Sequence, residues 1–336
     1  MISLTVVLPV YNGLPFLTAA VNSVLQQTFT DFEFIIIDDC STDGSYELLQ
    51  TYTDPRIRLF RNEANSGISF TLNRGIALAQ TDWIVRMDSD DICRPNRLEQ
   101  QAKFIQQHPD GALYSCDVQK INEQGAPISS DRFDTQFYFY HLHFFCIVYH
   151  PAVVMRKSAV QEIGGYTVPY AEDWELFWQL SRKYKMYHQP EVLLDYRVSS
   201  KSLHQVVRKK EYAAAQMEQL MRNLHSVTHP RLQVPQSHLY CLQHYYEPLE
   251  AEGNIRSIAA CLHTLDVISE GIAAQPNPNN DPAITKQAAA SKKRFILEHF
   301  MRSLPGPKAV ALLVLLGEWA YLWDRLTSRL PFSKAQ

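Results

Sequence analysis

Several familiar signals are missing from this chain, and each absence excludes something. None of its six cysteines (Cys40, Cys93, Cys116, Cys146, Cys241, Cys261) forms a C-x-x-C pair. Their spacings match no zinc pattern, so neither a zinc module nor a disulfide framework organises the fold, and they read as reduced thiols of a cytoplasmic protein. An excess of one charge is also missing. Lys and Arg number 32 against 35 Asp and Glu, a net charge of −3, which argues against bulk nucleic-acid binding. No apolar run reaches the roughly 20 residues of a spanning helix, which counts against a synthase that exports its own product through a membrane. The opening Met1-Ile2-Ser3-Leu4-Thr5-Val6-Val7-Leu8-Pro9 has no basic segment ahead of its apolar run, so it reads as a first strand and not a signal peptide. No internal repeat is visible.

What remains is an ordinary globular composition, 46% hydrophobic and 20% charged over 336 residues. At about 150 residues per domain, that length suggests two domains. The first half alternates strand and helix patterns. Leu4 to Leu8, Phe34 to Ile37, Ile57 to Phe60, Trp83 to Met87 and Ala112 to Val118 read as strands. Between them, Leu17, Val21, Val24 and Leu25, then Leu72, Ile76 and Ala79, then Leu98, Ala102 and Ile105 follow helical spacing. This order predicts an α/β fold with a mostly parallel, doubly wound central sheet flanked by helices. From about residue 137 the texture changes to aromatics and histidines, Pro151 to Met155 returns as a strand, and Asp173 opens a helix. Beyond residue 204 only helical patterns follow, broken by the loop Gln275 to Pro282. The expected division is 1–204 as the α/β domain and 205–336 as a helical region that serves the acceptor, a partner or a membrane surface. Ala309 to Leu316 is apolar throughout, with Glu318, Trp319, Tyr321 and Trp323 beyond it and Lys308, Arg325 and Arg329 at its flanks. It reads first as a docking helix, and second as an in-plane membrane helix over 309–330.

The most telling stretch is Trp83-Ile84-Val85-Arg86-Met87-Asp88-Ser89-Asp90-Asp91. An apolar strand runs into three carboxylates, which places them at the carboxyl edge of a sheet, where open α/β folds bind ligands. An Asp-x-Asp step suits one hard divalent cation, Mg2+ or Mn2+, which could clamp a diphosphate. Without a cation the three acids repel, and at least one must be harder to ionise. The plainer alternative is a solvated turn that caps the helix after Arg94, with Asp91 the most natural capping member.

Four segments in order, Val6-Val7-Leu8-Pro9-Val10-Tyr11-Asn12-Gly13, Ile35-Ile36-Ile37-Asp38-Asp39-Cys40-Ser41-Thr42-Asp43-Gly44-Ser45, Asp88 to Asp91 and Ala171-Glu172-Asp173-Trp174, resemble the family 2 glycosyltransferases of GT-A fold. The likeness covers roughly the first 200 residues. It implies an inverting transferase that moves a sugar from a UDP-sugar, or less readily a dTDP- or GDP-sugar, to a hydroxyl of a glycan or lipid-linked acceptor in polysaccharide synthesis. It implies nucleotide contacts from Pro9, Tyr11, Asp39, Arg74 and Asp88, with Tyr11 stacking on the base and Asp39 accepting from the uracil imide. Asp38 is expected to be structural. Asp90 is the implied metal ligand, with Asp88 nearer the ribose and a second candidate for the metal. Asp173 is the implied base, and Glu172, His150 and Trp174 lie on the acceptor side. Each has a plainer reading: a packed aromatic for Tyr11, a turn acid for Asp39, an exposed helix arginine for Arg74, a core histidine for His150, and helix-start acids for Glu172 and Asp173. One departure stands out. Many members carry a metal-completing histidine where this chain has Ser199, and His204 is the nearest substitute. His141 and His143 lack a third zinc ligand and read as an aromatic acceptor wall or a structural segment. A sugar nucleotidyltransferase would need a glycine-rich basic loop after the first strand, which Pro9 to Gly13 is not. A non-catalytic nucleotide-sugar-binding module has only Ser199 in its favour.

Overall fold

The computed structural model describes residues 2–131, 135–199, 209–229 and 232–319. Its strands are β1 (Leu4–Val10), β2 (Phe32–Asp38), β3 (Ile57–Arg61), β4 (Trp83–Arg86), β5 (Ile92–Cys93), β6 (Gly111–Ile121), β7 (Pro127–Asp131), β8 (Val154–Arg156) and β9 (Lys185–Arg197). The helices that alternate with them along the chain are α1 (Leu17–Leu25), α2 (Ser45–Leu49), α3 (Ile68–Leu78), α4 (Arg97–Gln107), α5 (Tyr138–Leu142), α6 (Lys157–Glu162) and α7 (Glu172–Lys183). Then follow α8 (Lys209–Val227), α9 (Gln236–Leu242), α10 (Glu247–Ala251), α11 (Ile255–Ala273), α12 (Pro282–Ser303) and α13 (Gly306–Leu316).

The chain divides into two compact units. The first comprises 1–138, 146–219 and 277–279; the second comprises 139–145, 220–276 and 280–336. The first unit holds one sheet in the order β3-β2-β1-β4-β8-β6-β9-β5, with β7 paired to β6. The pairs β1–β2, β2–β3, β1–β4 and β6–β9 are parallel, as the β-α-β rhythm predicts. Strand β8 runs antiparallel to both β4 and β6, so the sheet is more mixed than that rhythm suggests. Parallel neighbours need a crossover helix; β8 is reached instead through the β7 hairpin and short helical turns. Every residue of β1 is buried, which is what a central strand covered on both faces requires. Its Leu4, Val6 and Leu8 pack with Phe34 and Ile36, with Leu17, Val21 and Val24 of α1, and with Leu98, Ala102 and Ile105 of α4.

The second unit is helical. Ile258, Leu262, Leu265, Ile268 and Ile272 of α11, Ile296, Leu297 and Phe300 of α12, and Ala309, Leu312 and Leu313 of α13 are buried. His143, expected near an acceptor wall or in a structural segment, belongs to this unit and is 4% exposed, with Nδ1 2.9 Å from the Phe139 carbonyl. Burial pushes it down to about 4, which favours the structural reading. Helix α13 stops at Gly317, whose φ of 69° is a left-handed helix end. Among the described residues no helix is long and apolar enough to cross a membrane. Residues 320–330, half of the segment considered for membrane contact, lie outside the described residues, and so does His204.

Candidate active site

Because β1, β2 and β4 are parallel, the loops that follow them meet at one sheet edge. Tyr11 stands there 45% exposed, directly after β1. Pro9 is buried within β1, opposite Ile37. Hydrogen bonds tie the loops after β1 and β2 together. The Asn12, Gly13 and Leu14 amides donate to Ser41 Oγ, Ser45 Oγ and Asp43 Oδ2 at 2.9, 2.9 and 3.1 Å, and the Thr42 amide donates to Asn12 Oδ1 at 2.9 Å. A Cβ at Gly13 would sit 3.4 Å from Ser89 Cβ, so this tied loop lies against the acidic loop after β4.

The two aspartates that end β2 differ in role. Asp38 is wholly buried, accepts from the Ser41 amide at 3.1 Å and pairs with Arg61 Nε at 3.1 Å. It fixes the loop. Asp39 is 4% exposed; its Oδ1 accepts from Asn62 Nδ2 at 2.6 Å and the Ser66 amide at 2.9 Å, and its Oδ2 accepts from the Gly67 amide at 2.9 Å. A carboxylate oxygen has two acceptor sites, so Oδ2 has capacity for one more donor. Arg74 donates through Nη1 to the Arg61 carbonyl at 2.8 Å and to Asn62 Oδ1. It therefore reaches the Asp39 cradle through Asn62, a residue that sequence reasoning passed over.

Asp88, Asp90 and Asp91 each offer an oxygen within 4.8 Å of the others, close enough to share one cation. Burial first, then the Asp88 charge, push Asp90 up to about 6. Burial, then Asp90 and Asp88, hold Asp91 well above the ordinary range. Oxygen donors repelling one another in a half-buried loop fit a hard divalent ion such as Mg2+ or Mn2+. The expected capping role of Asp91 is corrected. Helix α4 begins after Asn96 with no side-chain cap, and Asp91 Oδ1 accepts instead from the Arg197 amide at 2.7 Å. The Arg197 guanidinium adds bonds to the carbonyls of Asp90 at 2.7 Å and Asn122 at 2.9 Å, pinning the acidic loop to the end of β9. Ser199, two residues on, is 7% exposed.

Helix α7 begins after Ala171, whose φ of 53° is left-handed, and brings Glu172, Asp173 and Glu175 into its first turn. Carboxylates there are favoured by the helix dipole. Asp173 Oδ1 accepts its neighbour's amide, Trp174 N, at 2.7 Å. Glu172 is 6% exposed, and burial first, then the Asp173 charge, push it up to about 8. His150 Nδ1 lies 3.9 Å from Glu172 Oε1. Burial first, then Arg86, hold His150 well below its usual range, so the two meet as neutral groups. His150 Nε2 is 2.6 Å from the Tyr166 hydroxyl, and Asn73 clamps the Tyr166 backbone at 2.8 and 2.9 Å. Trp174 is 2% exposed, with its bulk packed into α7's buried face. Its apolar bulk places it in the helix's buried stripe.

Two further residues went unnoticed in the sequence. Arg86 is 3% exposed and ion-pairs with Asp88 through Nη1. The signal for it is a charge set between Val85 and Met87 in an otherwise apolar strand. Tyr212 of α8 meets the Tyr170 ring at 5.2 Å. Burial, followed by the Glu172, Asp173 and Asp88 carboxyls, pushes its phenol up. No sequence pattern marks it.

The comparisons with known proteins agree with this geometry. Residues 5–164 match the sequence profile of Glycosyl transferase family 2, so the chain carries a domain of that family. It is 39% identical over 103 residues to the putative teichuronic acid biosynthesis glycosyltransferase TuaG of Bacillus subtilis, a match over 30% of this chain and 41% of TuaG. It is 41% identical over 99 residues to the putative colanic acid biosynthesis glycosyl transferase WcaA of Escherichia coli, over 28% of this chain and 35% of WcaA. The chain thus spans less than half the length of either relative. Among solved structures, S. aureus TarS 1-349 in complex with UDP-GlcNAc superimposes with a TM-score of 0.57 at 14% identity, over 91% of this chain and 93% of that one. The fold is GT-A.

Proposed function

We propose that this chain is an inverting, cation-dependent glycosyltransferase that uses a UDP-sugar and extends a glycan or lipid-linked acceptor in cell-surface polysaccharide synthesis. One observation carries the reading: the three-carboxylate loop Asp88–Asp91 and the acid-bearing first turn of α7 lie within electrostatic reach of each other in one unit. The names of TuaG and WcaA, with teichuronic and colanic acid in them, support polysaccharide as the product class, and the UDP-GlcNAc bound to TarS supports a UDP donor.

In this reading Tyr11 offers its exposed ring to the base, and Asp39 Oδ2 accepts the imide N–H with its remaining acceptor site. Asp90 and Asp88 would hold the cation, which would supply Lewis-acid stabilisation of the departing diphosphate. Asp173 takes the proton from the attacking acceptor hydroxyl. No second carboxylate is needed for a glycosyl-enzyme intermediate, which separates this site from a retaining pair. His150, neutral and bonded to Tyr166, supports Glu172 next to the base. The domain reading of 1–204 as catalytic and 205–336 as acceptor-, partner- or membrane-facing belongs to the same proposal, as does a place on the cytoplasmic face of a membrane.

The test is UDP release from a panel of UDP-sugars by the purified chain with Mn2+ and lipid-linked or oligosaccharide acceptors. Removing a general base typically costs about 10²–10⁴-fold, so Asp173→Asn is expected to lose kcat on that scale while keeping UDP affinity within about threefold. Unchanged turnover in that variant removes Asp173 from the role. Pyrophosphate release from a nucleoside triphosphate and a sugar phosphate would favour the nucleotidyltransferase instead.

A further inference from the structure

Arg86 Nε and Glu172 Oε2 are among the buried polar atoms beside the site that have no hydrogen-bond partner among the described residues, with Arg86 Nη1 and Asp91 Oδ2. Arg86 is 3% exposed and Glu172 6%. Native folds leave few such atoms, because the desolvation cost is unrecovered. Arg86 Nε and Glu172 Oε2 are complementary, one an N–H donor and the other a carboxyl oxygen able to accept. They also sit on the two halves of the site. Arg86 ends β4, just before Asp88, and Glu172 opens α7, just before Asp173. Arg86 spends its charge on Asp88, one of the three acids whose oxygens could share a cation. A cation on Asp88 and a guanidinium on Asp88 compete, since both need the same carboxylate. If Arg86 stayed there, two positive charges would face each other with little water between them.

We propose that Arg86 changes partners: once Asp88 is engaged by a divalent cation, Arg86 releases it and pairs with Glu172, which fixes the first turn of α7 and with it Asp173. This rests on the cation-dependent reading above and makes Arg86 a positioning residue. The exchange gives Arg86 Nε and Glu172 Oε2 a partner at once and links cation loading to placement of the base.

The experiment is titration of the full chain with Mn2+ alone, followed by electron paramagnetic resonance of the free ion, with amide hydrogen exchange of α7 in parallel. The proteins are the wild type, E172Q, R86M and the double variant. Residues that act behind metal ligands typically alter affinity about 10–100-fold. E172Q is therefore expected to weaken Mn2+ about tenfold in the wild-type background and less than about twofold in R86M. R86M by itself is expected to bind Mn2+ more tightly, because a competing cation is gone; a merely structural arginine would give the opposite sign. Mn2+ is expected to slow exchange of the first α7 amides in the wild type and not in E172Q. An equal effect of E172Q in both backgrounds, or weaker binding by a folded R86M, overturns the exchange. If R86M does not fold, isosteric E172Q decides alone, and unchanged affinity with unchanged α7 protection overturns the proposal. A wild type that binds no Mn2+ at millimolar concentration overturns the cation-dependent reading itself, and this inference with it.

Discussion

Glu172 offers a test that needs neither donor nor acceptor. Its carboxyl is held at about 8, against an ordinary 4.5, by burial first and by the Asp173 charge second. A carboxyl raised in this way keeps its proton in the folded chain where the unfolded chain has released it. Stability must therefore fall as pH rises from about 4.5 towards about 8, and level off above. Each tenfold change in proton affinity is worth about 1.4 kcal/mol, so the displacement sets a ceiling of about 5 kcal/mol. Water entry and local rearrangement relieve part of a burial cost, so about 2 kcal/mol is a realistic expectation. Glu172→Gln keeps the shape and cannot ionise, so it escapes the loss. Urea denaturation of both proteins at pH 5, 7 and 9 with EDTA present is the assay. Asp90 and Asp91 are raised too, but they are common to both proteins and cancel in the difference. The expected result is that Glu172→Gln gains on the wild type by about 2 kcal/mol between pH 5 and pH 9. Parallel pH curves for the two proteins would refute the burial argument for Glu172.

Two other outcomes follow from packing. A Cβ at Gly271 would lie 1.9 Å from the Val227 carbonyl oxygen, where α11 and α8 touch backbone to backbone. Gly271→Ala is expected to destabilise by about 1–3 kcal/mol, read as a lower Tm, because a backbone atom cannot move aside as a side-chain tip can. Asn62→Ala removes bonds to Asp39 at 2.6 Å and Thr71 at 2.9 Å and strands Arg74. It is expected to weaken UDP binding about tenfold in calorimetry, on the scale of a lost bond to a charged group; unchanged UDP affinity would separate Asp39 from the nucleotide.

Much of this architecture can be read along the chain because burial leaves a mark there. Largely apolar runs such as Phe34 to Ile37 and Trp83 to Met87, each followed by acids, announce strands whose carboxyl ends form a site. The four motif segments, taken in order, point to the family. Directions are less visible. Val154–Arg156 is apolar enough for a strand, but nothing in three residues says that it runs antiparallel. Polar networks are least visible of all. Asn62, Ser66 and Gly67 surround Asp39 through two amides and a side chain brought from beyond β3, and the two backbone donors among them leave no trace in residue identity. Arg197 looks like a surface residue, yet it holds the acidic loop. Trp174 is the opposite case, since its apolar bulk makes its burial on α7 legible from the sequence.

The most direct test of the central claim is calorimetric titration of UDP into the wild type and Asp90→Ala, each with and without Mn2+. Binding in the wild type that strengthens with Mn2+, and loses that dependence in Asp90→Ala, is the predicted result. UDP affinity that is the same with and without the ion in both proteins, or no UDP binding at all, would contradict a cation-assisted nucleotide-sugar site.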